Sequence, residues 1–156
     1  MSSQYERELR QVLAGVPKGV ESVIRSCTPL EKQKMGLVLQ RPFLVVRAAG
    51  SGMEGTGDLL ALRGDLCFPI EVKSTRATKL YLSGRTKLQY EAMVHEGERC
   101  KLMPLYAHRR KGVRGDSWRI FRVETENLTG RLRQLEKSIP AFPTTRNGSV
   151  YLNWED

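Results

Sequence analysis

The chain has few of the residues that build disulfides or zinc sites. Its three cysteines, Cys27, Cys67 and Cys100, are odd in number and far apart, and its two histidines, His95 and His108, are isolated from each other. Disulfide frameworks and zinc sites need paired or closely spaced ligands, which are missing here. The composition predicts reduced cysteines in the core, and histidines that serve as surface or packing residues rather than as general bases.

Long apolar runs are also missing. No segment approaches the roughly 20 apolar residues that cross a bilayer, and the amino-terminal segment MSSQYERELR is polar and charged, unlike a signal peptide. These features predict a soluble, cytoplasmic protein without a membrane partner, and they leave open whether a cell or a virus encodes it.

Acidic residues are scarce relative to basic ones. The 156 residues include 26 Lys and Arg against 17 Asp and Glu, which gives a formal charge of +9 and a pI near 9.8. This excess predicts a polyanionic partner, with nucleic acid as the first candidate. The length fits a single domain that spans residues 1–156 and buries its own core.

The hydrophobic pattern predicts an α/β domain with a central mixed β-sheet flanked by helices. In the first helices, Thr28 and Glu31 form a capping-box pattern around Pro29. Near the middle, two apolar runs flank Arg63-Gly64-Asp65 as a hairpin, with an irregularity expected at Pro69. The predicted helices are Tyr5–Leu13, Val20–Ile24, Pro29–Gln40, Thr86–His95 ending near Gly97, and about Glu126–Lys137. The predicted strands are Phe43–Arg47, Leu59–Leu62, Leu66–Val72, Lys101–Ala107 and Trp118–Val123, followed by a loop-rich tail of about residues 138–156, with Trp118, Phe121 and Trp154 in the core.

The hairpin carries the candidate chemistry. Asp58 stands at the head of one strand, and Glu71 and Lys73 stand at the end of the next. Neighbouring carboxylates repel each other unless a cation lies between them, and oxygen ligands suit Mg²⁺, with Mn²⁺ able to substitute. The backbone carbonyl of Val72 is a further candidate ligand, and Glu6 can approach from the opening helix. Lys73 beside such a site points to phosphodiester hydrolysis.

A Glu-x-Lys pair on a strand is often an exposed ion pair without function. Three features favour the functional interpretation: the upstream Asp58, the glycine-rich segment before it, and the apolar residues around the pair. The glycines of residues 50–57 precede a predicted strand, so their GxGxxG spacing lacks the helix that a nucleotide-binding loop requires. GxxxxGK followed by Ser or Thr does not occur there. We therefore expect a loop that grips substrate and no nucleotide cofactor.

Four ordered blocks resemble a known family. They are residues 5–9 (YEREL), 45–51 (VVRAAGS), 58–61 (DLLA) and 70–75 (IEVKST). Over about residues 3–123 the chain is similar to the archaeal-type Holliday junction resolvases of the PD-(D/E)xK nuclease superfamily. The resemblance implies a restriction-endonuclease-like core and a homodimer that cuts four-way junctions symmetrically with Mg²⁺. It implies that Glu6, Asp58 and Glu71 are metal-site acids, that Lys73 is catalytic, that Arg7 and Arg47 contact phosphate, and that Ser51 lies near the scissile strand.

Two departures from the family pattern are visible. Residues of about 15–41, including the capped helix from Pro29, are interpreted as an inserted helical segment. Gly57 stands where the superfamily's proline precedes the aspartate. The inserted segment could alter the dimer or the substrate contacts, whereas Gly57 leaves the assignment of the metal ligands unchanged.

Further basic residues predict contacts with DNA. The basic residues that follow the predicted strand Leu66–Val72 form a stretch that could also be a solvated loop. Those near residue 110 form a predicted hairpin tip that could simply improve solubility. Gln89 is a candidate for orienting water or phosphate, or is an ordinary surface residue. The set comprises Arg76, Lys79, Tyr81, Arg85, Lys87, Gln89, Arg109, Arg110, Lys111 and Arg114.

Three functions are compatible with these features. The first is a metal-dependent endonuclease that resolves four-way junctions. The second keeps the nuclease fold but cuts duplex, flap or other branched DNA. The third is a basic module that binds DNA without cutting it, although a buried acidic cluster would repel phosphate in the absence of metal.

Overall fold

The computed structural model describes residues 2–48, 57–141 and 150–153. The segments 49–56, 142–149 and 154–156 lie outside them, and so do the predictions for Ser51, Trp154 and most of the glycine-rich loop. The helices within the described ranges are α1 (Ser2–Leu13), α2 (Pro17–Ile24), α3 (Pro29–Gln40), α4 (Arg85–Cys100) and α5 (Gly130–Leu135). The strands are β1 (Leu44–Arg47), β2 (Leu59–Arg63), β3 (Leu66–Thr75), β4 (Lys79–Leu82), β5 (Leu105–Arg110), β6 (Trp118–Arg122) and β7 (Val150–Asn153).

Within the described residues, five strands form one sheet in the order β1-β2-β3-β5-β6. β3 lies at its centre, antiparallel to β2 and parallel to β5. The sheet is therefore mixed, as predicted. β4 and β7 pair separately as an antiparallel two-stranded sheet.

Successive side chains of a strand point to opposite faces of the sheet, and α1 packs on one face while α4 packs on part of the other. On one face Phe68 and Ile70 pack in a core that includes Leu9 of α1. On the other, Tyr106 and Phe121 pack in a second core with Met93 of α4. Trp118 and Phe121 are both buried, which confirms their predicted core positions.

Several local predictions are confirmed by hydrogen bonds and pairing. The Thr28 hydroxyl accepts from the Glu31 N–H at 3.3 Å, and the Glu31 carboxylate accepts from the Thr28 N–H at 2.9 Å, so α3 begins with the predicted capping box. The predicted irregularity at Pro69 is wrong, because β3 runs through it without interruption. Pairing of β3 with β5 begins only at Ile70, so the missing N–H of the proline breaks no ladder bond.

The second half of the chain differs more from prediction. Gly97 does not end α4; a Cβ there would lie 2.8 Å from the Pro104 side chain, so the glycine permits close packing. The helix instead ends before Lys101, whose φ of 56° is left-handed. Consequently β5 starts at Leu105 rather than at Lys101. The final helix is limited to Gly130–Leu135, and β4 and β7 were not predicted.

The cysteines and histidines divide between core and surface. Cys27 is buried, Cys67 is half-buried and Cys100 is exposed, so the core prediction is wrong for Cys100; none forms a disulfide. His95 is exposed and His108 is fully buried, in agreement with surface and packing roles.

Within the described ranges, no helix combines the length and apolar character needed to cross a membrane.

Candidate active site

The candidate site lies where β2 and β3 separate. Their pairing ends at Leu59 and Ile70, while β3 continues along β5 to Thr75. One edge of β3 is therefore open beyond Ile70. Asp58 precedes β2 at this point, and its N–H donates to the Ile70 carbonyl at 2.7 Å. Its Oδ2 atom accepts a hydrogen bond of 2.8 Å from the Val72 N–H, which places the carboxylate on the open edge.

Gly57 explains how the chain enters this position. Its φ is +75°, a conformation that favours glycine, and a Cβ there would lie only 2.6 Å from the Ile70 carbonyl oxygen. A side chain would collide with β3 and displace the following Asp58. The glycine is thus required by close backbone approach in this structure.

Glu71 and Lys73 share one face of β3, as alternation predicts. The Lys73 Nζ lies 3.4 Å from the Glu71 Oε1. Burial, followed by repulsion from Asp58, raises the pKa of Glu71 to about 7 even though Lys73 opposes the shift. Burial also raises the pKa of Asp58, against the effects of the Val72 N–H, Lys73 and Arg47. A buried and a half-buried carboxylate that repel each other are suited to a cation.

Val72 can contribute an oxygen as well. The N–H and C=O of one strand residue point to the same side. Because the Val72 N–H bonds to Asp58, its carbonyl also faces the open edge and not β5. The donor set of two carboxylates and one carbonyl consists only of oxygen, which suits Mg²⁺.

Glu6 lies beside this group and is paired with another residue. It is buried on α1, and its Oε2 is 3.5 Å from the Arg47 Nε at the end of β1. Its negative charge contributes to the raised pKa of Glu71. In the part of the chain that the structure describes, no three acidic, histidine or cysteine side chains form a ready-made metal cluster. The structure therefore brings Asp58, Glu71 and Lys73 together and leaves Glu6 at the margin with Arg47.

A small polar cavity adjoins Glu6. Its volume is about 100 Å³, and Arg7, Arg10 and Arg47 line it together with Glu6 and Leu59. Arg10 was not predicted as a site residue. Its spacing of three residues from Arg7, on one side of α1, was the available signal.

The remaining predicted DNA contacts fall into two groups. Those near β4 and the start of α4 form a largely exposed set, of which Tyr81 is 60% exposed, and among described residues the buried Gln89 Oε1 has no hydrogen-bond partner. Those near residue 110 differ from prediction, because Arg109 and Arg110 belong to β5 rather than to a hairpin tip. The first group comprises Arg76, Lys79, Tyr81, Arg85, Lys87 and Gln89, and the second also includes the half-buried Lys111 and the exposed Arg114.

Arg109 has structural partners. Its Nε lies 3.4 Å from the Glu8 Oε1, which also accepts a 2.9 Å hydrogen bond from the Trp118 indole N–H. The guanidinium lies 5.0 Å from the centre of the Tyr5 ring. This arrangement ties α1 to β5 and β6, so Arg109 does not extend along a DNA arm as predicted.

His108 forms a network that the sequence did not reveal. Its Nε2 lies 2.7 Å from the Thr75 hydroxyl, and that hydroxyl donates to the Ala77 carbonyl at 3.1 Å. The threonine proton is thus already used, which assigns the proton of the ring to Nε2. Burial, and then the charge of Arg110, lowers the pKa of His108 to about 4. The neutral ring fixes the turn that carries Arg76.

These features define a class of protein. A mixed sheet with two carboxylates and a lysine at the open edge of its central strand, next to clustered arginines, is suited to cleaving phosphodiesters. A model of the archaeal Holliday junction resolvase (Hjc) family matches residues 29–140. The chain belongs to this family, and the protein is therefore a junction-resolving endonuclease.

The match has informative limits. It begins at Pro29, so α3 lies inside it, whereas α1 with Glu6 and Arg7 lies outside. The case for Glu6 consequently rests on its geometry beside Arg47 and Glu71.

No curated protein sequence is significantly similar to the chain. Among solved structures, the Holliday junction resolvase Hjc of Archaeoglobus fulgidus, an archaeal hyperthermophile, is 19% identical. The alignment covers 72% of this chain and 78% of that chain, with a TM-score of 0.47.

Proposed function

We propose that the enzyme resolves four-way junctions by symmetric, Mg²⁺-dependent hydrolysis as a homodimer, with Asp58, Glu71 and Lys73 in each active site. The observation that carries this proposal is the Asp58 carboxylate on the open edge of β3, bonded to the Val72 N–H at 2.8 Å. It stands next to the Glu71–Lys73 ion pair, where burial and then repulsion from Asp58 raise the pKa of Glu71 to about 7.

The residues at the site fit a hard divalent ion. Asp58, Glu71 and the Val72 carbonyl would hold Mg²⁺, or Mn²⁺ in its place, and Glu6 is positioned to support it from α1. When bound, the ion supplies positive charge that activates water and offsets charge on the phosphate. Within this scheme Glu6 also keeps Arg47 in place through their ion pair.

Cationic side chains would act on the substrate phosphates. Lys73, held 3.4 Å from Glu71, orients the attacking water or stabilises the charge that develops on the scissile phosphate. Arg7 and Arg47 contact phosphate at the polar cavity beside Glu6. These groups position the strand, so that hydrolysis occurs at a fixed phosphodiester.

A path for the DNA continues past the site. The exposed residues Arg76, Lys79 and Arg85 follow β3 in the chain and suit contact with the phosphate backbone, and Tyr81 suits stacking on a base. Ser51, Lys87, Gln89, Arg110, Lys111 and Arg114 remain proposed contacts of the same substrate.

A sheet face that no described residues cover supports the homodimer. The paired residues Leu44, Leu62 and Cys67, and next to them Val46 and Leu60, lie on the face of β1, β2 and β3 opposite α1. Leu44 is 69% exposed and Val46 is 46% exposed. A contiguous apolar patch of this kind is typical of an interface, and a two-fold protein matches a two-fold junction.

Cleavage of three labelled substrates tests the proposal. A four-way junction, a flap and a linear duplex of the same sequence are each incubated with Mg²⁺ over time. We expect symmetric incisions in opposed strands of the junction, slow or no cutting of the duplex, and no cutting in EDTA. Faster cutting of the flap or duplex would favour a different branched or duplex substrate. Absence of cutting with any divalent ion, with junction binding intact, would favour a non-catalytic DNA-binding module.

A further inference from the structure

A large cavity lies between α5 and the sheet, on the face opposite Glu71 and Lys73. Its volume is about 510 Å³, within the range of small-molecule sites. Its floor is formed by Leu66, Phe68 and Ile70, which alternate along β3 with the residues of the candidate active site. The cavity is therefore separate from the proposed metal site.

The rim of the cavity is cationic. Arg41, Arg63 and Arg131 all line it. Arg131 is paired with Asp65 at 3.0 Å. Arg63 instead donates to the Arg41 backbone carbonyl at 2.7 Å and stacks over the Phe43 ring at 4.2 Å. These contacts orient the Arg63 guanidinium without supplying a negative charge.

The electrostatics of the rim favour binding of an anion. Burial, and then the positive charges of Arg41 and Arg131, lowers the pKa of Arg63. Guanidinium groups brought together at an apolar surface repel each other, and a carboxylate or phosphate can bind to them through charge-assisted hydrogen bonds.

We propose that this cavity binds a small amphiphilic anion, with its apolar chain against β3 and α5 and its carboxylate or phosphate head on Arg63 and its two arginine neighbours. Charge complementarity selects an anionic head, and the apolar floor selects a hydrocarbon body. Since the cavity and the metal site lie on different faces of β3, the ligand and DNA can bind together. Binding of such an anion is independent of the proposed nuclease function.

Calorimetric titration with three probes separates the contribution of the anionic head to binding from that of the apolar chain. Decanoate supplies both, decanol has the chain without the charge, and acetate has the charge without the chain. We expect decanoate to bind about tenfold more tightly than decanol, as a charge-assisted hydrogen bond implies, and acetate to show no measurable binding. No binding of decanoate at concentrations up to about 1 mM would overturn the proposal.

Matched variants test the location. Arg63→Gln should weaken decanoate binding about tenfold and leave decanol binding unchanged. Arg133→Gln, an exposed change on the same helix as Arg131 but outside the cavity, should leave both unchanged. Ser138→Trp, at an exposed position of the lining, should block both probes.

Equal decanoate binding by wild type, Arg63→Gln and Ser138→Trp would show that the anion binds elsewhere on a basic protein, and would overturn the proposal. Melting curves establish that each variant is folded. If Arg63→Gln does not fold, Arg41→Gln, at an exposed rim position, replaces it with the same expected loss. Junction cleavage should be unchanged in all of these variants.

Discussion

The Asp58 carboxylate bonds to the Val72 N–H at 2.8 Å and so continues the edge of β3 where β2 has ended. One side chain thus completes the hydrogen bonding of an open strand and places negative charge beside Glu71. Asparagine at position 58 retains an oxygen that can accept this bond, whereas alanine would leave the Val72 N–H without it. Asp58→Asn is therefore the substitution that removes the negative charge and keeps the hydrogen bond to Val72.

Removal of one acid should abolish stabilisation by metal. In the absence of DNA, we expect about 10 mM Mg²⁺ to raise the melting temperature of wild type by a few degrees, because the ion binds only the folded site. Glu71→Gln should show little or no rise. Glu91→Gln, an exposed change on α4, is the charge-matched control and should respond like wild type. An equal Mg²⁺ response in the Glu71 variant would remove Glu71 from the metal site.

Arg10 should contribute one phosphate contact, since it shares the polar cavity with Arg7 and Arg47. For Arg10→Ala we expect junction affinity to fall about fivefold and the slope of log affinity against log salt to decrease by about one. Binding is measured without divalent metal to prevent cleavage. Arg133→Ala serves as the control. An unchanged slope for Arg10→Ala would mean that Arg10 makes no phosphate contact.

Leu44→Asp should dissociate the homodimer. The residue on β1 is 69% exposed, so a charge there should cost the folded monomer little. It would be buried in the proposed interface, and we expect dimer affinity to fall by more than about tenfold. Analytical ultracentrifugation measures the change. Leu30→Asp, at a 61% exposed position on α3, is the control for a charge elsewhere. A Leu44→Asp protein as dimeric as wild type would rule out this face.

His108 should make the metal-free protein less stable in acid. Its pKa in the folded state is about 4, below the ordinary 6.5, because of burial and the charge of Arg110. Lys73 and Arg119 also flank it in the strand register. Since the unfolded chain binds the proton first, stability from this group is present above pH 6.5 and is lost as the pH falls towards 4.

Urea unfolding across this range measures the effect. The free energy of unfolding of wild type should fall by up to about 3 kcal/mol more than that of His108→Leu. His95→Leu, which changes an exposed histidine, should follow wild type. Parallel pH profiles for wild type and His108→Leu would contradict the assignment of a buried, neutral His108.

Local patterns predicted the elements that local chemistry determines. The capping box at Thr28 and Glu31 located the start of α3, and the turn at Gly64 located the hairpin. Alternation along β3 placed Glu71 and Lys73 on one face, and the position of Asp58 before β2 brought the three residues together.

Contacts between distant segments were not predictable in the same way. β4 and β7 are short, and their pairing joins residues 79–82 to 150–153. Gly97 resembled a helix terminator, but its role depends on Pro104 and Thr125 packed against it. The basic cluster near residue 110 gave no sign that Arg109 would bind Glu8 on α1. The partners of a charged side chain are set by the fold, which the charge pattern alone does not specify.

Single-turnover cleavage of a labelled four-way junction by Asp58→Asn, with binding measured on the same preparation, decides whether Asp58 acts in catalysis. We expect the cleavage rate with Mg²⁺ to fall by more than about a hundredfold, while junction affinity stays within about threefold of wild type. Cleavage by Asp58→Asn at the wild-type rate would contradict a catalytic role of Asp58.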